Sequence, residues 1–272
     1  MLIKFRSKNW ITLRYNSVSD RILDMLYTPP IWSLYLSEMK REKLSSNLSI
    51  TSGFFISPDI AKMISIPNYE IGKEIKLRPL ENINVDLADI LMKRRSSREF
   101  NNKLKFDELS SILVYGAGKS SKDKYTGRTL RTYPSPGALY PNSIYVLVNN
   151  VDGLEKGIYY FNPDILSIYL LSSNEERIKV IYSGFMDRDM ASKASVIIFL
   201  VNNILRTVLK YGELRFKLSL IEAGIIAQNI VLLATALGKK SLIYESFIDN
   251  KLENGLSING VTQFISTTIL LG

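Results

Sequence analysis

Tyr133-Pro134-Ser135-Pro136-Gly137-Ala138-Leu139-Tyr140-Pro141-Asn142 runs directly into Ser143-Ile144-Tyr145-Val146-Leu147-Val148. Three prolines and a glycine within nine residues impose an extended backbone with one tight corner. The β-branched and aromatic run that follows reads as a buried strand. A rigid corner feeding a buried strand is suited to hold backbone N–H groups and small side chains still against a flat ligand. On spacing alone, an ordinary turn before a strand accounts for the same residues.

The chain has 272 residues, enough to bury a substantial core as one large domain or two modest ones. Apolar residues make up 46% of it, which argues for a globular protein. It contains no cysteine and no histidine. That excludes disulfides, thiolate nucleophiles, histidine-dependent triads and zinc sites built on those residues. Acid–base chemistry therefore rests on Asp, Glu, Lys or Tyr, or on a bound cofactor. The formal charge is +9, but Lys and Arg are spread along the chain without a block of five, which reads as a solvated basic surface rather than a nucleic-acid stripe. An acidic peptide partner also fits that charge. The opening residues 1–6 lack a signal-peptide pattern, and the longest apolar runs, near 196–201 and 230–237, are too short to cross a bilayer. The expectation is a cytoplasmic protein without a membrane span.

Residues 1–85 are weakly patterned and read as an accessory region, with short helices at 19–27 and 32–43 and a polar loop at 44–59. From residue 86 the signals sharpen. Leu87, Ile90 and Leu91 have helical spacing behind an Asp86 cap. This helix runs into Arg94-Arg95-Ser96-Ser97-Arg98, where three guanidiniums and two hydroxyls suit a phosphate. A second helix is expected at 106–115, capped by Asp107 and stopped by Gly116-Ala117-Gly118, followed by a Lys- and Ser-rich loop to Arg131. Asn162-Pro163-Asp164 between two apolar runs signals a hairpin. A helix at 174–182 and a buried strand at 194–201 follow. Residues 218–237 are apolar almost all round, implying a helix buried on most faces, which a second subunit would account for.

Three segments also carry a resemblance. Pro134-Ser135-Pro136-Gly137-Ala138-Leu139-Tyr140-Pro141 resembles the signature of the SagB/ThcOx-type azoline dehydrogenases, a branch of the nitroreductase-like flavoproteins. Arg94-Arg95-Ser96-Ser97-Arg98-Glu99-Phe100 resembles their FMN-holding segment, and Lys210-Tyr211-Gly212 with Glu222-Ala223-Gly224 resembles their Lys-Tyr helix region. Gly157-Ile158-Tyr159-Tyr160-Phe161 also resembles wording of the family. The chain departs at Leu214-Arg215-Phe216-Lys217, at Ile225 where a His often stands, and at Lys239-Lys240-Ser241-Leu242, which lacks the usual glycines.

The resemblance implies an α+β, nitroreductase-like fold over residues 86–272: a mainly antiparallel sheet wrapped by helices, in a homodimer with two flavin sites at its interface. It implies FMN held by Arg94, Arg95, Ser96, Arg98, Pro134, Ser135, Gly137, Ala138, Leu139, Asn142, Gln228 and Ser241, with Lys210 and Tyr211 catalytic. The implied activity is oxidation of thiazoline or oxazoline rings in a ribosomally made precursor peptide, alongside cyclodehydratase subunits. Two alternatives stand beside it. One is a nitroreductase or flavin reductase using NADH or NADPH; the other is a flavin-binding scaffold for a cyclodehydratase.

Overall fold

Residues 142–148 form a strand in which every residue is buried, and its side chains divide between two cores. Ile144, Val146 and Val148 enter one, while Tyr145 and Leu147 enter the other. A strand that is apolar at successive positions needs cover on both faces, because alternate side chains point to opposite sides of the sheet. The rest of the domain supplies that cover. The structure, a computed structural model, describes residues 72–272 apart from 101–102, 125–126, 128 and 212–213, with the backbone alone at 208–210. The helices expected at 19–27 and 32–43, and the loop at 44–59, lie outside the described residues.

In chain order the elements are β1 (Glu74–Lys76), α1 (Leu87–Lys93), β2 (Leu104–Lys105), α2 (Phe106–Ala117), β3 (Lys119–Lys122) and β4 (Thr129–Arg131). A short 3-10 turn (Pro136–Ala138) leads to β5 (Asn142–Val148), β6 (Val151–Asp152), β7 (Gly157–Asn162), β8 (Ser167–Ser172), α3 (Glu175–Gly184) and α4 (Arg188–Lys193). Then come β9 (Val196–Asn203), α5 (Leu205–Tyr211), α6 (Leu214–Ala236), β10 (Ser241–Tyr244), α7 (Asp249–Leu256) and β11 (Gln263–Leu271). Seven strands form one sheet in the order β1-β8-β7-β5-β9-β11-β10, with every neighbouring pair antiparallel. Helices α2 and α6 cover one face through Leu109, Ile112, Leu113, Ile226 and Ile230. Helices α3 and α7 cover the other through Ile178, Ile181, Leu252 and Leu256. This is the α+β, mainly antiparallel architecture expected. The edge strand β1 lies ahead of residue 86, where the sequence reading begins the domain.

Local signals explain most helix ends. Asp86 accepts the Asp89 N–H at 2.9 Å, and Asn174 accepts those of Glu176 and Arg177, so each occupies the N-cap where short polar side chains satisfy free amides. Helix α2 starts at Phe106 as expected but runs on through Gly116 to Ala117, and its cap is not Asp107. Asp107 sits inside the first turn, and the Glu108 carboxylate caps by accepting the Lys105 N–H at 2.8 Å. The expected loop to Arg131 contains the antiparallel ribbon β3–β4, which its exposed Lys and Ser residues do not announce by alternation.

Helix α6 requires two corrections. Its 23 residues are long and apolar enough to cross a bilayer, contrary to the reading of shorter runs, yet it packs against the sheet as a core helix does. It is also buried along a single stripe (Ser219, Glu222, Ala223, Ile226, Ala227, Ile230, Val231, Ala234), leaving Phe216, Leu220 and Ile221 exposed. Apolar composition all round therefore does not mean burial all round within this chain.

Leu147 is fully buried in the core under α3 and α7. Leu147→Ala is expected to cost about 2–5 kcal/mol through lost transfer energy and the cavity left behind. Urea unfolding should give a lower midpoint with an unchanged slope.

Candidate functional site

The proline-rich corner reaches β5 through a backbone that other residues avoid. Gly137, Ala138 and Tyr140 all have positive φ, at 62°, 52° and 48°. For Ala and Tyr this left-handed conformation costs about 1–2 kcal/mol each, so surrounding contacts must hold it. Ser135 is central to that hold. Its carbonyl accepts the Ala138 N–H at 3.0 Å and its hydroxyl accepts the Tyr140 N–H at 2.9 Å. The Leu139 N–H turns to the Pro136 carbonyl. The amides of Ala138, Leu139 and Tyr140 are thus used inside the corner.

Beneath the corner lies a buried polar network. Asn142 donates from its backbone N–H and its Nδ2 to Glu222 Oε1, at 3.2 and 3.1 Å, and from Nδ2 to the Ser219 carbonyl. Its Oδ1 accepts the Ser266 hydroxyl at 3.0 Å. Asn142 is 1% exposed, so the whole side chain is committed to tying β5, α6 and β11 together. Glu222, also buried, has its Oε2 without a hydrogen-bond partner among the described residues, and burial pushes its carboxyl above the ordinary range. Arg206, at the start of α5, donates to the Tyr140 carbonyl at 2.7 Å and to the Ser143 hydroxyl at 3.0 Å. Arg131 donates to the Tyr133 hydroxyl at 3.0 Å and lies 4.4 Å from the Tyr140 ring centre. The structure thereby joins the corner to the helix carrying Lys210 and Tyr211. Tyr211 is partly buried, which pushes its phenol above the usual tyrosine value, so it is protonated at neutral pH.

The Arg94–Arg98 loop lies elsewhere. Ser96 forms a parallel bridge with Ser241, and the Ser97 N–H donates to the Ser241 carbonyl at 3.0 Å. Two of the expected ligand segments, the arginine loop and Ser241, are therefore brought together. Arg95 is turned back onto the Met92 and Arg94 carbonyls, whereas the guanidiniums of Arg94 and Arg98 are unpaired among the described residues. Lys240, beside Ser241, has one long ion pair, 3.8 Å to Glu99. Lys239 is held by Glu108 at 2.9 Å. This donor set of two guanidiniums, hydroxyls and an ammonium is chemically suited to a phosphate.

These two groupings occupy opposite ends of the sheet. Ser241 pairs with Leu271, Leu271 with Val196, and Val196 with Val148, at the far end of β5 from Asn142. Six residue steps along a strand separate the two levels by about 20 Å. Gln228 is exposed on α6, on the face that also carries Leu220, Ile221 and Gly224. A groove of about 390 Å³ beside α1 is lined mostly by apolar residues, including Ile83, Val85, Leu87, Ile90 and Leu232, and holds none of the expected site residues.

Arg131, Arg206 and Glu222 were not singled out from sequence as site residues. Glu222 had a signal: it is the sole charged residue between Leu218 and Leu237, where a charge inside an apolar helix needs a buried partner. Arg206 had none, because a guanidinium at a helix start is ordinarily solvated.

Comparison with known proteins adds kinship. A family profile described as "Nitroreductase family" matches residues 91–272. A Methanocaldococcus jannaschii protein named as a nitroreductase is 35% identical over 186 residues, covering 68% of this chain and 90% of that protein. The microcin B17-processing protein McbC of Escherichia coli is 26% identical over 200 residues, covering 69% of this chain and 71% of McbC. Among solved structures, a protein from Anabaena variabilis named as a nitroreductase shares the fold with a TM-score of 0.63 at 23% identity. It covers 75% of this chain, which spans only 42% of the Anabaena chain. The E. coli microcin synthetase McbBCD complex with truncated pro-MccB17 matches with a TM-score of 0.54 at 20% identity, over 96% of this chain and 98% of that one.

The network around Asn142 makes a direct test. Asn142→Ala leaves the buried Glu222 carboxylate and the Ser266 hydroxyl short of partners, and is expected to lower stability by about 1–3 kcal/mol. Chemical denaturation of the cofactor-free protein measures this.

Proposed function

We propose, because the chain belongs to the nitroreductase family, that this oxidoreductase is an FMN-dependent dehydrogenase converting thiazoline or oxazoline rings of a precursor peptide to the aromatic azoles. The observation that carries the reading is Arg206. It fastens α5, with Lys210 and Tyr211 at its end, to the carbonyl of Tyr140 in the corner. Two of the three segments on which the resemblance rests thus meet through one buried guanidinium. Likeness to McbC, a protein named for microcin processing, supports the same substrate class and a partnership with cyclodehydratase subunits.

Ring aromatisation removes a proton and a hydride, and a bound flavin supplies the two-electron acceptor. Arg94, Ser96 and Arg98 would hold its phosphate, with Lys240 alongside. Lys210 and Tyr211 would handle the proton. A phenol whose pKa is raised is a donor at neutral pH, so Tyr211 takes up a proton only in its ionised fraction, which a neighbouring ammonium enlarges.

The separation of about 20 Å between phosphate loop and corner favours a homodimer. Two copies in opposed orientation would bring the loop of one against the corner of the other, using the exposed Leu220, Ile221 and Gln228 face of α6. A second reading, an NAD(P)H-dependent nitroreductase, is supported by the higher identity to the archaeal protein. Rapid bleaching of bound flavin by NADH or NADPH, with no oxidation of an azoline peptide, would favour it.

Purified protein is expected to carry about one FMN per chain, identified by absorbance and by mass of the released cofactor. Arg98→Ala should weaken FMN roughly ten- to hundredfold by losing a charge-assisted contact, without lowering the melting temperature of the flavin-free form. Colourless protein that takes up no added flavin would sink the reading.

If Tyr211 is the base, the rate of azoline oxidation should climb with pH from neutral towards the raised phenol pKa, tenfold per unit. Tyr211→Phe should retain flavin and lose about 10²–10⁴ in rate together with that pH dependence. A flat profile in the unmodified enzyme, or near-normal turnover by Tyr211→Phe, removes the hydroxyl from that role.

A further inference from the structure

Glu222 is a carboxyl for which the buried knot around Asn142 supplies no charge partner. It is 1% exposed and lies on α6 against the head of β5. Its two oxygens are used unequally. Oε1 accepts both the N–H and the Nδ2 of Asn142, whereas Oε2 is buried without a hydrogen-bond partner among the described residues. The two accepted bonds measure 3.2 and 3.1 Å, longer than the about 2.7–2.9 Å of hydrogen bonds to an ionised group. This is the pattern of a neutral acid: a carbonyl oxygen with both lone pairs filled and a hydroxyl oxygen that carries the proton.

The groups that face it favour the same state. No Lys or Arg makes an ion pair with Glu222 among the described residues. Arg131, on β4, acts on it only through space, its guanidinium donating to the Tyr133 hydroxyl instead. Tyr133, from the start of the corner, is a phenol that burial keeps protonated. From β9 comes Asn202, a buried neutral amide paired with Asn142 in the sheet register, and from β11 Ser266, which serves Asn142. A lone carboxylate in such a layer is costly enough that the group keeps its proton instead. Burial is the largest influence on the carboxyl and outweighs Ser135, Asn142 and Arg131, which pull towards ionisation.

We infer that Glu222 is a pH-operated latch beneath the corner, closing the Asn142 knot as a neutral acid and loosening it on ionisation. The ionised form places an unpaired charge between the sheet and α6, and the strained corner that immediately precedes Asn142 loses its foundation. The latch is independent of which cofactor or substrate the corner serves. Its sign is fixed by linkage. The folded chain holds this proton more tightly than the unfolded chain does. Its contribution is therefore complete below the unfolded carboxyl's midpoint, about pH 4.3, and is lost as pH rises to the higher midpoint of the folded state.

The test compares the full-length protein with Glu222→Gln, which keeps the shape and the accepting oxygen but cannot ionise. Both are unfolded in urea, free of cofactor, at a series of pH values. Glu245 and Glu253, whose carboxyls burial also raises, are common to the two proteins and cancel in the comparison. The unfolding equilibrium constant of the unmodified protein, relative to the variant, should climb up to tenfold per pH unit above about pH 4.3 and level off once Glu222 ionises in the folded chain. Should the variant not fold, carbon-13 NMR of glutamate carboxyls in the unmodified protein reads the same group. One carboxyl should stay protonated where ordinary glutamates have ionised, and the Asn142 side-chain amide signals should move with its midpoint. A ratio that stays flat or falls as pH rises would overturn the proposal. So would Asn142 amide signals that titrate at the ordinary glutamate midpoint.

Discussion

The side chain of Asn142 is the knot on which the corner, the sheet and the long helix depend. One amide reaches α6 through Glu222 and the Ser219 carbonyl, and β11 through Ser266, while its backbone stands at the head of β5. Because these groups are sealed from water, each partner must be present for any of the others to be tolerated. The left-handed residues Ala138 and Tyr140 immediately precede this knot. Their conformation persists because Ser135, whose hydroxyl accepts the Tyr140 N–H and whose carbonyl accepts that of Ala138, fixes the corner from within.

The domain separates its polar chemistry by sheet end. At one end carbonyls, hydroxyls and two buried guanidiniums surround the start of β5. At the other, an exposed loop of arginines is laced to the first residue of β10. Between them the sheet is closed by apolar layers on both faces. The longest helix among the described residues, α6, carries an exposed apolar stripe at Phe216, Leu220 and Ile221, the face given to a second copy in the proposed homodimer. A helix that spans both ends is a natural contact for a second copy that would bring complementary ends together.

Much of this was legible from residue order alone. The apolar run 143–148 required cover on both faces, and the strand is buried throughout. Asp86 and Asn174 marked helix starts because a cap acts within three residues of itself. The β3–β4 ribbon was not legible, since its strands are exposed and polar and their pairing partners are fixed by the neighbouring elements. Nor was the capping of α2 by Glu108, where two acidic residues in one turn compete for the same role.

The sequence by itself determined the buried strand, the tight proline-rich corner before it and the kinship to an oxidoreductase family. These reside in short runs whose backbone preferences and wording act locally. Only the tertiary structure decided that Asn142 and Ser135 face inward, that Arg206 and Arg131 are buried side by side, and that the arginine loop and the corner lie at opposite ends of the sheet. Such facts depend on strand order and register, which pair residues from 63 to 124 positions apart, as in Arg206 with Ser143 and Ser266 with Asn142. No local propensity encodes a partner at that distance; the closing of the sheet selects it.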